Sequence, residues 1–372
     1  MQDDRGTPTA GTERGDLHHV ARALVRARPV VVIATVVALV VGVVIIVQVV
    51  RGARGTACDR ASFRVGLRGP GSAPPPPIGG GSLSSRIHRA FHGTSPAVFC
   101  DDFPDPFVLR VGRRYYAYST TSHGDHVPVL TTGSIFGGGG RHEALPHMPA
   151  WTDGRNAWAP AVLQRGRTFV MYYAPGMPDG RHCLSIAVAT NPAGPFVDGS
   201  RAPFVCTPAS AIDPSPFVAP NGQPYLVWKG ASAIEVAPLR GDGLGLAGPA
   251  ISLVTASQPW EHGIVEGPSM IAASGVVYLF YSGGQWDSAN YAIGYAVCAT
   301  PLGPCTKAPT NPWLASNPTA QGPGGQEFFT DPSGRLWMVF HAWVDGKVGY
   351  PTGARNLFVV HVTFVNGTPQ AA

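Results

Sequence analysis

Five segments of the chain repeat one pattern of polar and apolar positions. Each begins with a small or acidic residue, continues through an apolar stretch to a glycine-containing turn, and ends in an aromatic-rich strand. Two apolar stretches joined by a tight turn predict a β-hairpin. The five segments read DPFVLRVGRRYYAYST (105–120), APAVLQRGRTFVMYYA (159–174), DPSPFVAPNGQPYLVWKG (213–230), EGPSMIAASGVVYLFYSGG (266–284) and GQEFFTDPSGRLWMVFHAW (325–343).

The spacing of these segments predicts the fold. Pro106, Pro160, Pro214 and Pro268 recur at intervals of 54 residues, and the fifth aromatic strand begins 58 residues after the fourth. A period of this length with four short strands in each unit is typical of a β-propeller blade. We therefore predict an all-β, five-bladed β-propeller over residues 96–366. The alternative is a β-sandwich with recurring strands, and the fixed interval argues against it.

The N-terminal quarter of the chain has a different organisation. Residues 30–50 form an uncharged, mostly apolar run of 21 residues that Arg51 closes. As a helix this run would span about 30 Å, the thickness of a bilayer core, whereas the apolar part of a signal peptide is shorter. A buried core helix is the alternative. We predict a cytoplasmic segment over 1–28, a transmembrane anchor over 29–50 and an extracytoplasmic Pro/Gly-rich linker over 51–95.

The cysteines indicate the compartment, because arginines flank the apolar run on both sides and leave its orientation open. All six cysteines follow the run, and none forms a CxxC or a zinc-like spacing. An even number suits disulfides in an oxidising compartment, although six unpaired thiols are the alternative. We therefore predict a single-pass protein of the cell membrane with its C-terminal domain outside the cytoplasm. The pairings favoured by spacing are Cys298–Cys305 and Cys183–Cys206, which leaves Cys58–Cys100.

Composition excludes several classes of protein. With 47 glycines and 37 prolines among 372 residues, the chain is neither a helical bundle nor a coiled coil. Hydrophobic residues make up 44%, so the chain as a whole folds. The net charge is +5, but no Lys/Arg run is interleaved with aromatic residues. We therefore expect no nucleic-acid partner, and we expect a monomer.

The repeat also locates the candidate chemistry. In a propeller the innermost strand of each blade lines the axial channel, so equivalent positions of different blades face one another. At the start of these strands stand Asp105, Ala159, Asp213 and, shifted by one residue, Glu266. Three carboxylates are costly to bury together unless a site uses them; the alternative is that each caps a turn before proline. Two carboxylates flanking a bond are typical of glycoside hydrolysis, and a third can keep their protonation states apart.

Aromatic residues near these acids are candidates for sugar binding. A sugar face stacks well on an aromatic ring, because its C–H bonds meet the electron density of the ring. We expect Trp158, Trp286 and Phe107 to contact substrate. For Trp228 we expect a place in a blade interface instead.

The sequence resembles glycoside hydrolase family 43, the arabinanase, arabinofuranosidase and β-xylosidase group. The pieces that carry the resemblance are 103–120, WAPAVLQ (158–164), AIDPSPF (211–217), VEGPSM (265–270), YAIGYAVCATPLGPC (291–305) and 322–343. It implies a five-bladed propeller and an inverting mechanism, with Asp105 as general base, Glu266 as general acid and Asp213 orienting the acid and tuning its pKa. Invertases and levansucrases typically show Arg-Asp-Pro and Glu-Cys, where this chain has Ile212-Asp213-Pro214 and Glu266-Gly267.

Two further points follow from the resemblance. Members commonly have Asp where this chain has Ala161, which is not one of the three catalytic positions. In relatives a histidine equivalent to His341 helps bind a channel metal ion, so the resemblance implies a structural Ca²⁺, while the chemistry needs no cofactor. The alternative for His341 is a hydrogen-bonded core histidine.

These expectations combine into one functional hypothesis. We predict an exported, membrane-anchored glycoside hydrolase that cleaves arabinose-containing or xylose-containing oligo- or polysaccharides. The whole-domain pattern favours arabinose and leaves endo and exo cleavage open. The alternative is a non-catalytic glycan-binding propeller at the cell surface, which the loss of any of the three carboxylates would favour.

Overall fold

The structure is a computed structural model that describes residues 97–136 and 139–372. In this part of the chain, twenty strands are accompanied by a single 3-10 turn, Pro259–Glu261. The strands form five antiparallel sheets, as the repeat predicts. The predicted anchor (29–50) and linker (51–95) lie outside the described residues. Among residues 97–136 and 139–372, no helix has the length and hydrophobicity that a bilayer span requires.

The blades follow one another along the chain, after a short first strand, β1 (Ala97–Phe99). Blade 1 contains β2 (Phe107–Val111), β3 (Arg114–Tyr118), β4 (Pro128–Thr132) and β5 (Gly140–Glu143); blade 2 contains β6 (Ala157–Arg165), β7 (Thr168–Pro175) and β8 (Ser185–Ala189). Blade 3 contains β9 (Ile212–Val218), β10 (Pro224–Lys229), β11 (Ala233–Pro238) and β12 (Ile251–Thr255); blade 4 contains β13 (Val265–Ala273), β14 (Val276–Gly283), β15 (Ala292–Cys298) and β16 (Cys305–Lys307). Blade 5 contains β17 (Gln321–Thr330), β18 (Leu336–Trp343), β19 (Arg355–Val365) and β20 (Thr368–Ala371).

Two blades depart from the predicted four consecutive strands. In blade 2 a fourth strand is replaced by isolated bridges, Val188 with Val197 and Leu184 with Val205. In blade 5 the outer edge of β19 pairs with β1 from the start of the domain and with β20 from its end. The strand β1 therefore closes the ring, and β20 continues the blade beyond the predicted boundary at 366.

The hydrophobic core consists of five clusters, one between each pair of neighbouring blades. Each middle strand packs one face in the cluster on one side of its blade and the other face in the cluster on the opposite side. In β18, for example, Trp337 and Val339 pack against blade 1, whereas Met338 and Phe340 pack against blade 4. This is why the second strand of each repeat is almost continuously apolar rather than alternating. Trp228, 1% exposed, lies in the interface between blades 2 and 3, as predicted.

Inner strands of neighbouring blades contact one another around the whole ring. Near the start of each, the residue at one equivalent position has left-handed backbone: Asp105, Ala159, Asp213, Gly267 and Gly325, with φ between 43° and 58°. This conformation is uncommon for residues other than glycine and is typical of functional sites. It turns the chain at the mouth of the channel, where the candidate carboxylates lie.

Two of the predicted disulfides are confirmed, Cys183–Cys206 and Cys298–Cys305. Cys100 is also disulfide-bonded. Cys58, its predicted partner, lies outside the described residues.

Candidate active site

A cavity of about 320 Å³ opens at the mouth of the channel. Asp105, Asp213 and Glu266, from three different blades, all line it. The left-handed residues bring them there: Asp105 and Asp213 are themselves left-handed, and Glu266 directly precedes the left-handed Gly267. The structure therefore brings together the three carboxylates that the repeat predicts to converge.

Asp105 lies in surroundings that favour its charged form. One carboxylate oxygen, Oδ2, accepts a hydrogen bond of 2.6 Å from the Thr120 hydroxyl, and the other lies 3.5 Å from Nη1 of Arg355. Burial acts to raise the pKa of Asp105, but the Arg355 guanidinium and the Thr120 hydrogen bond outweigh it and hold that pKa below its usual value. Asp105 is therefore ionised at neutral pH and able to accept a proton.

Asp213 lies in surroundings of the opposite kind. Burial, followed by the nearby charges of Glu266 and Asp105, raises the pKa of Asp213 to about 8. One stabilising contact acts against this rise, since the backbone N–H of Gly267 donates to Oδ2 of Asp213 at 2.8 Å. Asp213 is thus hydrogen-bonded to Gly267, the residue that follows Glu266.

Glu266 is held by two side chains. The Tyr291 hydroxyl donates to Oε1 at 2.9 Å, and Nζ of Lys229 lies 3.5 Å from Oε2. Burial nevertheless raises the pKa of Glu266. Because Asp213 and Glu266 repel one another when both are charged, they titrate as a pair that retains one proton in the neutral range. One cavity thus holds an ionised carboxylate and a carboxyl pair with a proton to donate.

The predicted sugar-binding aromatics also line this cavity. The Trp158 side chain is the most accessible of them, and its residue is 37% exposed. One face of its indole is covered by the His182 ring, at 3.5 Å between centroids and 17° between planes. Trp286 is half-buried and carries the Arg355 guanidinium at 4.8 Å from its ring centroid. Phe107 is only 8% exposed, because most of its ring packs in the interface between blades 1 and 2.

His341 is fully buried beside Asp105 rather than among a set of metal ligands. Its Nδ1 accepts the backbone N–H of Asp105 at 3.0 Å, and burial lowers the pKa of His341 to about 3. Nδ1 also lies 3.4 Å from Oδ1 of Asp105, whereas Nε2 is buried and has no hydrogen-bond partner among the described residues. The described residues also contain no cluster of three or more His, Cys, Asp or Glu side chains suited to a metal. The role of His341 as a metal ligand and the structural Ca²⁺ of the channel both stay predictions.

Several polar residues of the site are absent from the sequence-based prediction: Lys229, Tyr291, Glu327, Tyr350 and Arg355. A signal for Lys229 does exist in the repeat. Thr120, Lys229, Ser282 and His341 each interrupt an apolar second strand 15 or 16 residues after a left-handed residue. Arg355 and Tyr350 give no such signal, because they reach the site only through the closure of the ring.

Comparison with known proteins identifies the family. The model of the family described as "Glycosyl hydrolases family 43" matches residues 96–369, the whole propeller. The chain belongs to glycosyl hydrolases family 43. The membership confirms the resemblance carried by the motifs around the three carboxylates.

The relatives of this chain differ in the activity that their names state. The β-D-galactofuranosidase xynD of Aspergillus niger is 27% identical over 205 residues, which cover 51% of this chain and 58% of that relative. A probable arabinan endo-1,5-α-L-arabinosidase A of Aspergillus flavus is 26% identical over 325 residues, 78% of this chain and 98% of that protein. Among solved structures, a thermostable family-43 glycoside hydrolase superposes with a TM-score of 0.65 at 26% identity, covering 73% of this chain and 93% of that one.

Proposed function

We propose that this family 43 protein is an inverting glycoside hydrolase that removes or cleaves arabinofuranosyl units in glycans, with Asp105 as general base and Glu266 as general acid. The observation that carries the proposal is the opposed electrostatics of one cavity. Arg355 keeps Asp105 ionised, whereas burial keeps a proton on the Asp213–Glu266 pair. A base and an acid at one bond are what single-step hydrolysis with inversion requires.

The steps follow from these protonation states. Asp105 accepts a proton from a water molecule as the water attacks the anomeric carbon. Glu266 donates its proton to the oxygen of the leaving group as the glycosidic bond breaks. Asp213 shares the retained proton with Glu266, and its hydrogen bond from Gly267 fixes its position. Tyr291 orients the Glu266 carboxyl through its hydrogen bond to Oε1.

The choice of arabinose rests on the named relatives and on the cavity. Arabinan endo-1,5-α-L-arabinosidases match most of the chain, whereas the galactofuranosidase matches about half of it. The exposed Trp158 indole gives a flat apolar surface against which a furanose ring can stack. Xylose-containing glycans are the second substrate class to be tested.

We further propose that the enzyme works outside the cell while anchored in the membrane through residues 30–50. The disulfides Cys183–Cys206 and Cys298–Cys305 support an oxidising compartment.

The test is turnover by the full-length chain in detergent. Nitrophenyl α-L-arabinofuranoside, β-D-galactofuranoside and β-D-xyloside, together with linear arabinan, are incubated with wild type and with Glu266→Gln. We expect arabinoside turnover by wild type, a product with inverted anomeric configuration by NMR, and a loss of about 10²–10⁴-fold on arabinan in the variant. Asp242→Asn is the matched control, since Asp242 is 56% exposed and remote from the cavity. Glycan binding without turnover by either form would indicate a binding propeller instead.

A further inference from the structure

A fourth carboxyl lies in the cavity and has no part in the proposed steps. Glu327, on the inner strand β17, lines the cavity together with the three candidate acids. Burial raises its pKa to about 7, against the effect of hydrogen bonds from two serines. A half-buried carboxyl beside three others is costly unless it has a role.

The partners of Glu327 come from two other blades. The Ser269 hydroxyl donates to Oε2 of Glu327 at 2.6 Å, and the Ser215 hydroxyl also hydrogen-bonds to the Glu327 carboxyl. Both serines are only 2% exposed. Ser215 belongs to β9, the strand of Asp213, and Ser269 belongs to β13, the strand of Glu266. One carboxyl therefore links the two strands that carry the proton-sharing pair.

The repeat explains why these three side chains meet. Ser215, Ser269 and Glu327 each stand two residues after a left-handed residue, namely Asp213, Gly267 and Gly325. Because equivalent positions of different blades face one another, the three side chains meet and hydrogen-bond in a second layer next to the mouth of the channel. The same position holds Phe107 in blade 1 and Ala161 in blade 2. The polar part of this layer thus lies only under blades 3, 4 and 5.

We propose that Glu327 is a positioning residue: by accepting hydrogen bonds from Ser215 and Ser269 it fixes the separation of Asp213 and Glu266. This inference rests on the proposed function, because it assigns Glu327 a role through those two acids. A small displacement of an acid from its productive position can lower a rate by about 100-fold, which is the scale of the expected effect.

The experiment compares Glu327→Ala, Glu327→Gln and the double variant Ser215→Ala, Ser269→Ala in the full-length chain. We expect Glu327→Ala to lower kcat by about 10–100-fold with KM changed less than twofold, and to shift the alkaline limb of the kcat/KM profile. The double serine variant should reproduce both changes. Glu327→Gln should recover most of kcat, because its amide oxygen still accepts a serine hydrogen bond. Thermal unfolding of each variant, with Asp242→Asn as control, tests whether it is folded.

Three results would overturn the inference. A rise in KM with unchanged kcat in Glu327→Ala would mean that Glu327 contacts the sugar itself. Equal losses in Glu327→Gln and Glu327→Ala would mean that its charge is needed. An unshifted pH profile would leave Glu327 a purely structural residue.

A second readout does not depend on turnover. The titration of the Asp213–Glu266 pair is followed by carboxyl ¹³C NMR in wild type and in Glu327→Ala. A shifted titration supports the positioning role even if the wild type hydrolyses none of the glycosides, in which case the proposed function alone fails. An unchanged titration overturns the positioning role whatever the activity.

Discussion

The imidazole of His182 lies flat against the indole of Trp158, with ring centroids 3.5 Å apart. His182 thereby covers the face of Trp158 that points away from the cavity, while the indole still lines the cavity. His182 is held in turn by its backbone: its N–H donates to the Ser210 hydroxyl at 3.3 Å, and its carbonyl accepts from Ala211 at 2.9 Å. The indole is therefore held against a fixed support. Ala211, which bonds to the His182 carbonyl, stands two residues before Asp213.

We predict that His182→Ala raises KM for arabinan by about 3–10-fold with little change in kcat, because a stacked aromatic contact contributes about 0.5–1.5 kcal/mol. His182→Phe keeps the stack and should keep KM near the wild-type value. Steady-state kinetics of the two variants measure this. A loss of kcat at constant KM in His182→Ala would show that the ring supports the acids rather than Trp158.

The wild type should show a bell-shaped pH profile of activity. The pKa of Asp105 lies below its usual value, so the base is ionised throughout the range above pH 4. The pKa of Asp213 is raised to about 8, and above that value its pair with Glu266 loses its remaining proton. We therefore expect kcat/KM to fall on the alkaline side near pH 8. An alkaline limb below pH 6 would contradict this view of the pair.

Substitution of Lys229 should change the pH at which the alkaline limb of kcat/KM falls. Its ammonium lies 3.5 Å from Glu266 and favours the charged form of the pair. Lys229→Met should raise the pKa of the pair and shift the alkaline limb of kcat/KM to higher pH. Lys347→Met, at an exposed position that does not line the cavity, is the control and should leave the profile unchanged.

Asp213 should lower the free energy of unfolding at alkaline pH. Its folded pKa lies above its ordinary value of 3.8, so its contribution to folding is fully present below that value and is lost as pH rises through about 8. Asp213→Asn removes this loss, and asparagine tolerates the left-handed backbone at this position. We expect Tm at pH 9 to rise by about 2–4 °C for each kcal/mol gained, with no comparable rise at pH 4, while activity falls. A lower Tm at pH 9 would contradict the prediction.

A buried ion pair away from the site serves the fold. The Glu261 carboxylate is fully buried; it accepts hydrogen bonds from Lys307 at 2.5 Å and from the Tyr281 hydroxyl at 2.8 Å. Glu261→Ala leaves the Lys307 charge without this partner and should lower the free energy of unfolding by about 3–5 kcal/mol. Chemical denaturation measures this change, and the activity per folded molecule should stay at the wild-type value. Unchanged stability would mean that water takes the place of the carboxylate.

The repeat in the sequence was enough to predict the number of blades and the three carboxylates of the cavity, because a left-handed residue followed by proline marks each of the first four inner strands. The repeat was not enough to predict the residues that contact those carboxylates. Tyr291 acts from the position just before β15, the third strand in the blade of Glu266, and Arg355 acts on Asp105 from the opposite end of the domain. Such contacts depend on how blades meet, which no local pattern records. The isolated bridges that replace a fourth strand in blade 2 likewise follow no repeated pattern in the sequence.

The closure of the ring also determines when the enzyme can work. Arg355 begins β19, the strand on which β1 closes the propeller, and its backbone N–H and carbonyl bond to Asp102 and Phe103 just before Asp105. A chain still being synthesised on the ribosome carries Asp105, Asp213 and Glu266 long before it carries Arg355. Until the last blade has been made, Asp105 has no guanidinium to keep it charged. The charge on Asp105 that the proposed hydrolysis requires is therefore secured only when the two ends of the propeller have met.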